Sequence, residues 1–309
     1  MRNYVNIILI IVINYSFASD QVPAPEQKHP ILLKNCTIHP VSGEDIRGGS
    51  ILFEKGIITG VGSRIANLPE NTEIIDLKGK HVYPGLIAAA SVIGLTEIGA
   101  VAVTRDFSER GEVNPNVRAE VAYNPDSEII PVTRSNGITL AHSCPTGGII
   151  SGTSAIMMLD GWTWEQATLK APAGLHINWP NMGAVRYRRY RVNEEDAAKR
   201  REETLKKLDS AFDEARRYLL AKQADTGSGI IKHNKDLRWE AMVPVLKKEV
   251  PVFMHAGEIR QIISAVEWAN RQNVKIVIVG GYDAWRVADL LKKYKIPVIY
   301  EGVNSLPRR

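Results

Sequence analysis

Between Leu237 and Tyr300 the chain switches repeatedly between two hydrophobic periods, and few architectures accommodate that alternation. Val250-Pro251-Val252-Phe253-Met254-His255, Lys275 to Val279 and Ile296 to Tyr300 are near-continuous apolar runs. Between them Ile259, Ile262, Ile263 and Val266 recur at helical steps, Asp283 to Tyr294 is a second amphipathic stretch, and a helix from Leu237 to Lys248 precedes the first run. A strand that is apolar at every position is buried on both faces, which calls for helices on either side and parallel neighbours. The pattern therefore reads as a parallel barrel or a doubly wound sheet. No Gly-x-Gly-x-x-Gly turn follows a first strand, which favours the barrel.

Upstream, the grain is different. Ile31-Leu32-Leu33, Ser50 to Phe53, Gly56 to Val61 and Glu73 to Leu77 are short β-rich runs punctuated by Gly48-Gly49, Lys55-Gly56 and Gly60-Val61-Gly62, a meander of small strands. After Pro84, Gly137 to Ser143 and Gly148 to Leu159 suit buried strands, and Ala173-Gly174-Leu175 leads into another that carries His176. Ala100 to Pro131, with Asn-Pro pairs at Asn114 and Asn124, reads as a long, partly ordered excursion. Asn193 ahead of Glu194, Glu195 and Asp196 is a helix start. Leu205, Leu208, Phe212, Ala215 and Leu219 then give a long helix one apolar stripe, and Asp225-Thr226-Gly227 stops it.

The first eighteen of the 309 residues have the composition of a secretory signal: Arg2, an apolar run from Ile8 to Ile13, then Ser16-Phe17-Ala18. The run is shorter than the roughly 20 residues a bilayer needs, so no stable membrane span remains once the signal is removed. Export to a periplasmic or extracellular space follows. Residues 19–30 read as a linker. Cys36 and Cys144 read as two separate buried thiols rather than as a bridge. The net charge of +5 is scattered except at Arg186, Arg188, Arg189 and Arg191, interleaved with Tyr187 and Tyr190. A solvated loop accounts for that cluster, and nucleic acid is not an expected partner.

Gly79-Lys80-His81-Val82-Tyr83-Pro84-Gly85-Leu86-Ile87-Ala88-Ala89-Ala90-Ser91-Val92 resembles the segment that runs from a small β-domain into the first barrel strand of the amidohydrolase superfamily, with an imidazolonepropionase-like texture. The family pattern is Pro-Gly-(Leu/Phe)-Ile-Asp-x-His-x-His. Pro84, Gly85, Leu86 and Ile87 match it; Ala88 stands at the Asp position, and Ala90 and Val92 stand at the two histidines. The resemblance begins near Ile31 and implies an α/β fold: a β-sandwich half over 31–83, then a (β/α)8 TIM-type barrel over 84–309. About seven strands are counted, so the barrel is expected to be incomplete, truncated before its last strand or strands.

The resemblance implies a divalent metal, zinc above all, and hydrolysis of a non-peptide carbon–nitrogen bond in a small-molecule amide or cyclic amide. His255 matches the family's fifth-strand ligand; Val279-Gly280-Gly281 stands where a sixth-strand His-Gly-Gly is expected, and the eighth-strand aspartate would fall beyond Arg309. Strand-end placement makes His142 and His176 alternative ligands beside His255, with Glu301 as a carboxylate. Trp162 and Glu97 are further candidates for the substrate pocket. Thr146 to Ser154 lacks a phosphate-loop or nucleophile-elbow pattern and reads as turns. Two other readings stay open, a non-catalytic exported binding or scaffold protein and metal-free acid–base chemistry from Glu97 or Glu301; homo-oligomers are also left open. Amino-terminal sequencing of the exported protein should begin at Ser19, and a mature chain that retains Met1 to Ala18 would overturn the signal assignment.

Overall fold

The computed structural model describes residues 22–183, 193–224 and 234–303, with the backbone of 186–187 and 190–191. The signal segment, the Arg186 to Arg191 side chains, the Asp225-Thr226-Gly227 stop and the Leu306 to Arg309 end lie outside the described residues. Two compact units divide the chain, Met1–Leu86 and Ile87–Arg309.

In the first unit, β1 (Ile31–Ile38), β2 (Ile46–Glu54), β3 (Ile57–Gly62), β4 (Glu73–Asp76) and β5 (His81–Val82) form one sheet in the order β3-β2-β1-β4, with β5 also on β1. Lys55 and Gly56 both have positive φ, 50° and 74°, which suits the tight turn joining β2 to β3. The expected meander holds only for β1 to β3. Strands β4 and β5 pair with β1 in parallel, because the connection 63–72 carries the chain back across the sheet before β4 begins. Cys36, Ile38 and Ile51 form the centre of this unit's core.

The second sheet has seven strands. They are β6 (Leu86–Ser91), β7 (Ile138–Ser143), β8 (Ile150–Met158), β9 (Thr168–Asn178), β12 (Val252–Ala256), β13 (Ile276–Gly280) and β14 (Val298–Tyr300), ordered β14-β13-β12-β9-β8-β7-β6. The two-residue β10 (Arg186–Tyr187) and β11 (Tyr190–Arg191) pair only with each other. The helices are α1 (Ile129–Ser135), α2 (Trp164–Ala167), α3 (Glu194–Ala224), α4 (Leu237–Leu246), α5 (Ile259–Gln272) and α6 (Ala288–Tyr294). This barrel-like sheet with its separate small sheet is the mixed α/β architecture expected of a TIM-type barrel behind a β-domain.

Strands β9, β12, β13 and β14 are parallel, as their apolar runs require. Strand β8 is the exception: it is antiparallel to both β7 and β9. A parallel crossover needs roughly a dozen residues or more, and the connections 144–149 and 159–167 are shorter. The excursion after β6 does not hang free. Val113 bridges to Ile150 and Arg118 to Thr153, so it lies along β8. The stretch read as one helix from Asp283 divides into a 3₁₀ turn, Ala284–Val287, and α6.

Alternation decides which side chains face the helices. Val252 and Met254 are fully buried with the helix-side core, whereas Phe253 and His255 point to the other face. On the helix side, Phe212 of α3 meets Trp268 of α5 edge-on at 4.9 Å, and Asp209 Oδ1 accepts a bond from Trp268 Nε1 at 2.7 Å. The close approach of β9 to β12 depends on Gly174. A Cβ there would lie 2.4 Å from the Phe253 ring and 2.7 Å from the Pro251 carbonyl oxygen. Gly174→Ala should therefore destabilise the protein by about 1–3 kcal/mol, read as a lower urea midpoint; an unchanged midpoint would show that β12 can move aside.

Candidate metal centre

Three histidines from three strands converge on one face of the second sheet. His142 lies near the C-terminal end of β7, His176 near that of β9 and His255 near that of β12. Parallel pairing of β9 with β12 sets Phe253 opposite His176, so the rings of Phe253 and His176 stack with centroids 4.9 Å apart. The same phenyl ring lies 4.6 Å from His142. His142 is 4% exposed and His176 is fully buried, so water is largely excluded from both.

Hydrogen bonds specify how the rings are presented. Ser154 Oγ donates to the Gly174 carbonyl at 3.3 Å and therefore accepts from His142 Nε2 at 2.8 Å. That leaves the lone pair of His142 on Nδ1. Nδ1 of His176 meets Nε2 of His255 at 2.9 Å. Nε2 of His176 is buried and has no partner among the described residues. An unpaired polar atom in such a place costs on the order of 1–3 kcal/mol, which a ligand on Nε2 would remove.

Cys144, two residues beyond His142, completes the group. One donor atom each from His142, Cys144 and His176 lies within 4.8 Å of the others, and all three residues are buried. Burial and the nearby Glu301 carboxylate push the Cys144 thiol up, and burial raises the Glu301 carboxyl above the usual carboxylate value. Burial lowers His142 and His255 to about 4 and His176 well below its ordinary 6.5, with His255 adding to the effect on the other two. The rings are thus neutral near pH 7 and keep their lone pairs. Zinc takes neutral imidazoles and a cysteine thiolate, the ion displacing the thiol proton as it binds, so the residues present fit the expected ion.

His142, His176 and His255 are brought together from the candidate set, and Glu301 follows β14 close enough to influence Cys144. Trp162 is not. It follows β8, which runs against β9, and so belongs to the opposite end of the sheet from His176 and His255; it is 57% exposed. Glu97 is half-buried and accepts a long, 3.5 Å bond from Asn124. Cys144 escaped the sequence reading, although its signal is legible afterwards: His142-Ser143-Cys144 has the same alternate spacing as the family's His-x-His, one strand further along. Cys36 and Cys144 are both free and buried.

No family model matches the chain. It is similar to the amidohydrolase tasK of Hapsidospora irregularis, 22% identical over an aligned length of 285, with 78% of this chain and 28% of that protein covered. The chain thus spans little more than a quarter of the length of this curated relative. Among solved structures it is similar to an amidohydrolase from Thermotoga maritima MSB8, with a TM-score of 0.77 and 26% identity over 90% of this chain and 72% of that one.

The buried rings carry a pH signature. Unfolding returns each imidazole to its ordinary 6.5, so the unfolded chain binds protons that the folded one refuses. Their contribution to stability is complete above about pH 6.5 and is lost as the pH falls through about 4. In chelator-treated protein the melting temperature should be level above pH 7 and fall below 6.5, by about 2–4 °C for each kcal/mol lost. A melting temperature independent of pH from 7 to 4 would contradict the burial of the three rings.

Proposed function

We propose that this chain, which belongs to the amidohydrolase superfamily, is an exported zinc-dependent hydrolase of non-peptide carbon–nitrogen bonds whose ligands have moved from the first barrel strand to the next. The observation that carries this reading is the unpartnered, fully buried Nε2 of His176 beside Cys144 and His142. Ala90 and Val92, at and just past the end of β6, offer no side-chain lone pair, while His142 and Cys144, at and just past the end of β7, offer two. His142 through Nδ1, His176 through Nε2 and Cys144 through Sγ would hold the ion. A bound zinc ion supplies Lewis acidity toward a carbonyl oxygen and toward water.

The remaining residues have roles that follow from their contacts. Ser154 sets the tautomer of His142, and His255 accepts from Nδ1–H of His176 and so turns its Nε2 toward the ion. His255 is thereby a positioning residue, standing behind the ligand rather than among the ligands. Phe253 keeps solvent from both rings. Glu301, partly buried and with a raised pKa, takes a proton from attacking water and returns it to the leaving nitrogen; a carboxylate shifted toward neutrality is suited to both transfers. The substrate class, a small amide or cyclic amide, rests on the family.

Purified protein should contain close to one zinc per chain by elemental mass spectrometry, and chelation should abolish turnover of simple amides and cyclic amides. His176→Ala and Cys144→Ser should each weaken zinc binding by about tenfold or more. With Co²⁺ in place of zinc, a thiolate charge-transfer band should appear and vanish in Cys144→Ser. Zinc content unaffected by either substitution would place the ion elsewhere. Metal-free protein with no hydrolytic activity would favour the alternative reading, a binding or scaffold protein, which the loss of donors at Ala90 and Val92 suggests.

A further inference from the structure

The first unit carries its own cluster of titratable side chains, on the sheet face away from its core. In the parallel register of β1 with β5, Thr37 pairs with His81 and Ile38 with Val82, and the His39 amide continues the ladder to the Val82 carbonyl at 3.0 Å. Ile38 is buried and Val82 packs against the core around it, so alternation turns His39, His81 and Tyr83 to the other face. His39 Nε2 meets His81 Nδ1 at 2.7 Å, and Asp45 Oδ1 lies 2.8 Å from His39 Nδ1. The two imidazole planes differ by 9° and their centroids are 5.0 Å apart, as far as a 2.7 Å contact allows, so the nitrogens meet head-on. The Tyr83 ring stacks on His39 at 4.3 Å and 6°, which holds the plane of the middle ring.

One end of this chain fixes every proton along it. A carboxylate only accepts, so His39 carries its proton on Nδ1 and its lone pair on Nε2. The proton in the 2.7 Å contact is therefore the one on His81 Nδ1. That leaves the lone pair of His81 on Nε2, the nitrogen turned away from His39. His81 is exposed, whereas the His39 side chain behind it is only 18% exposed. A nucleophile within hydrogen-bond reach of a base, with the base oriented by a third group, is the arrangement that activates weak nucleophiles. Here His81 stands as the nucleophile, His39 as the base and Asp45 as the group that orients the base.

We propose that His81 is a nucleophilic acyl-transfer centre for activated acyl donors such as aryl esters, independent of any metal. Nε2 attacks the carbonyl carbon, a carbon–nitrogen bond forms, and the phenolate leaves with the electron pair of the broken carbon–oxygen bond. The Nδ1 proton passes to His39 Nε2, and the Asp45 carboxylate offsets the charge that His39 gains. Water then attacks the acyl-imidazole. The carbon–nitrogen bond breaks with its electron pair returning to Nε2, His39 returns its proton to His81 Nδ1, and the product leaves as a carboxylate with one proton passed to solvent. His81, Asp45 and Tyr83 are all exposed, so the site selects donors by reactivity rather than by shape.

p-Nitrophenyl acetate is the probe. The chelator-treated full chain should release p-nitrophenolate over many turnovers and pass through an acetylated His81 detectable by peptide mass spectrometry. Lysine amines form stable amides and turn over once at most, so sustained release reports the imidazole. The rate should exceed that of equimolar free imidazole by about tenfold, less than the 10²–10⁴ of an enclosed general base because these groups stand in water. His81→Ala should abolish the release. His39→Phe, which keeps a ring against Tyr83 and removes the base, should bring it down to the level of free imidazole. Asp45 is a positioning residue: Asp45→Asn should forfeit most of the advantage and Asp45→Glu should keep it, a split that a merely structural role would not give. A rate no greater than that of free imidazole, release unchanged in His81→Ala, or release unchanged in His39→Phe would each overturn the assignment, the last by showing that His81 reacts as an isolated exposed histidine.

Discussion

The parallel pairing of β9 with β12 is the constraint on which the rest depends. It sets Phe253 opposite His176 and brings Nε2 of His255 to Nδ1 of His176, and it is possible only because Gly174 has no side chain to push Phe253 away. Once the strands are this close, alternation does the sorting: Val252 and Met254 go to the helix-covered core, Phe253 and His255 to the opposite face. An imidazole buried among rings does not take up a second proton and cannot leave a nitrogen unbonded without cost. One nitrogen of His176 is satisfied by His255, and the other is what gives the cluster its chemical purpose.

Strand β8 supplies the second half of the arrangement by running against its neighbours. Its short connections allow no crossover helix, and the resulting hairpins carry Ser154 to His142. Ser154 then spends its own proton on Gly174, which leaves its oxygen as an acceptor and fixes the histidine tautomer. Cys144 lies just past the end of β7, its amide bonded to Ser91 of β6. A His-x-Cys step at the end of β7 thus offers donors at the same alternate spacing that the family places at the end of β6, where Ala90 and Val92 have none. Loss of ligands on one strand and their presence on the next are compatible with one fold, because adjacent strand ends open onto the same space.

Much of this was legible in the chain itself. Near-continuous apolar runs at Val250 to His255 and Lys275 to Val279 marked strands buried on both faces, and the helical stretches between them made those strands parallel. The similarly buried run at β8, with short connections, is antiparallel. The three- and four-residue stripe through Leu208, Phe212 and Ala215 determined the long helix and its buried face. Strand-end placement singled out His142, His176 and His255, because a polar residue closing an apolar run must find a partner. Periodicity reports which face a residue occupies, but not which strand lies beside it. Cys144 as a donor, Ser154 as the group that sets a tautomer, and the removal of Trp162 to the far end of the sheet all depend on strand direction and register. Those were decided only by the tertiary structure, because hydrogen-bond partners are assigned by contacts between distant segments, and no local pattern encodes them.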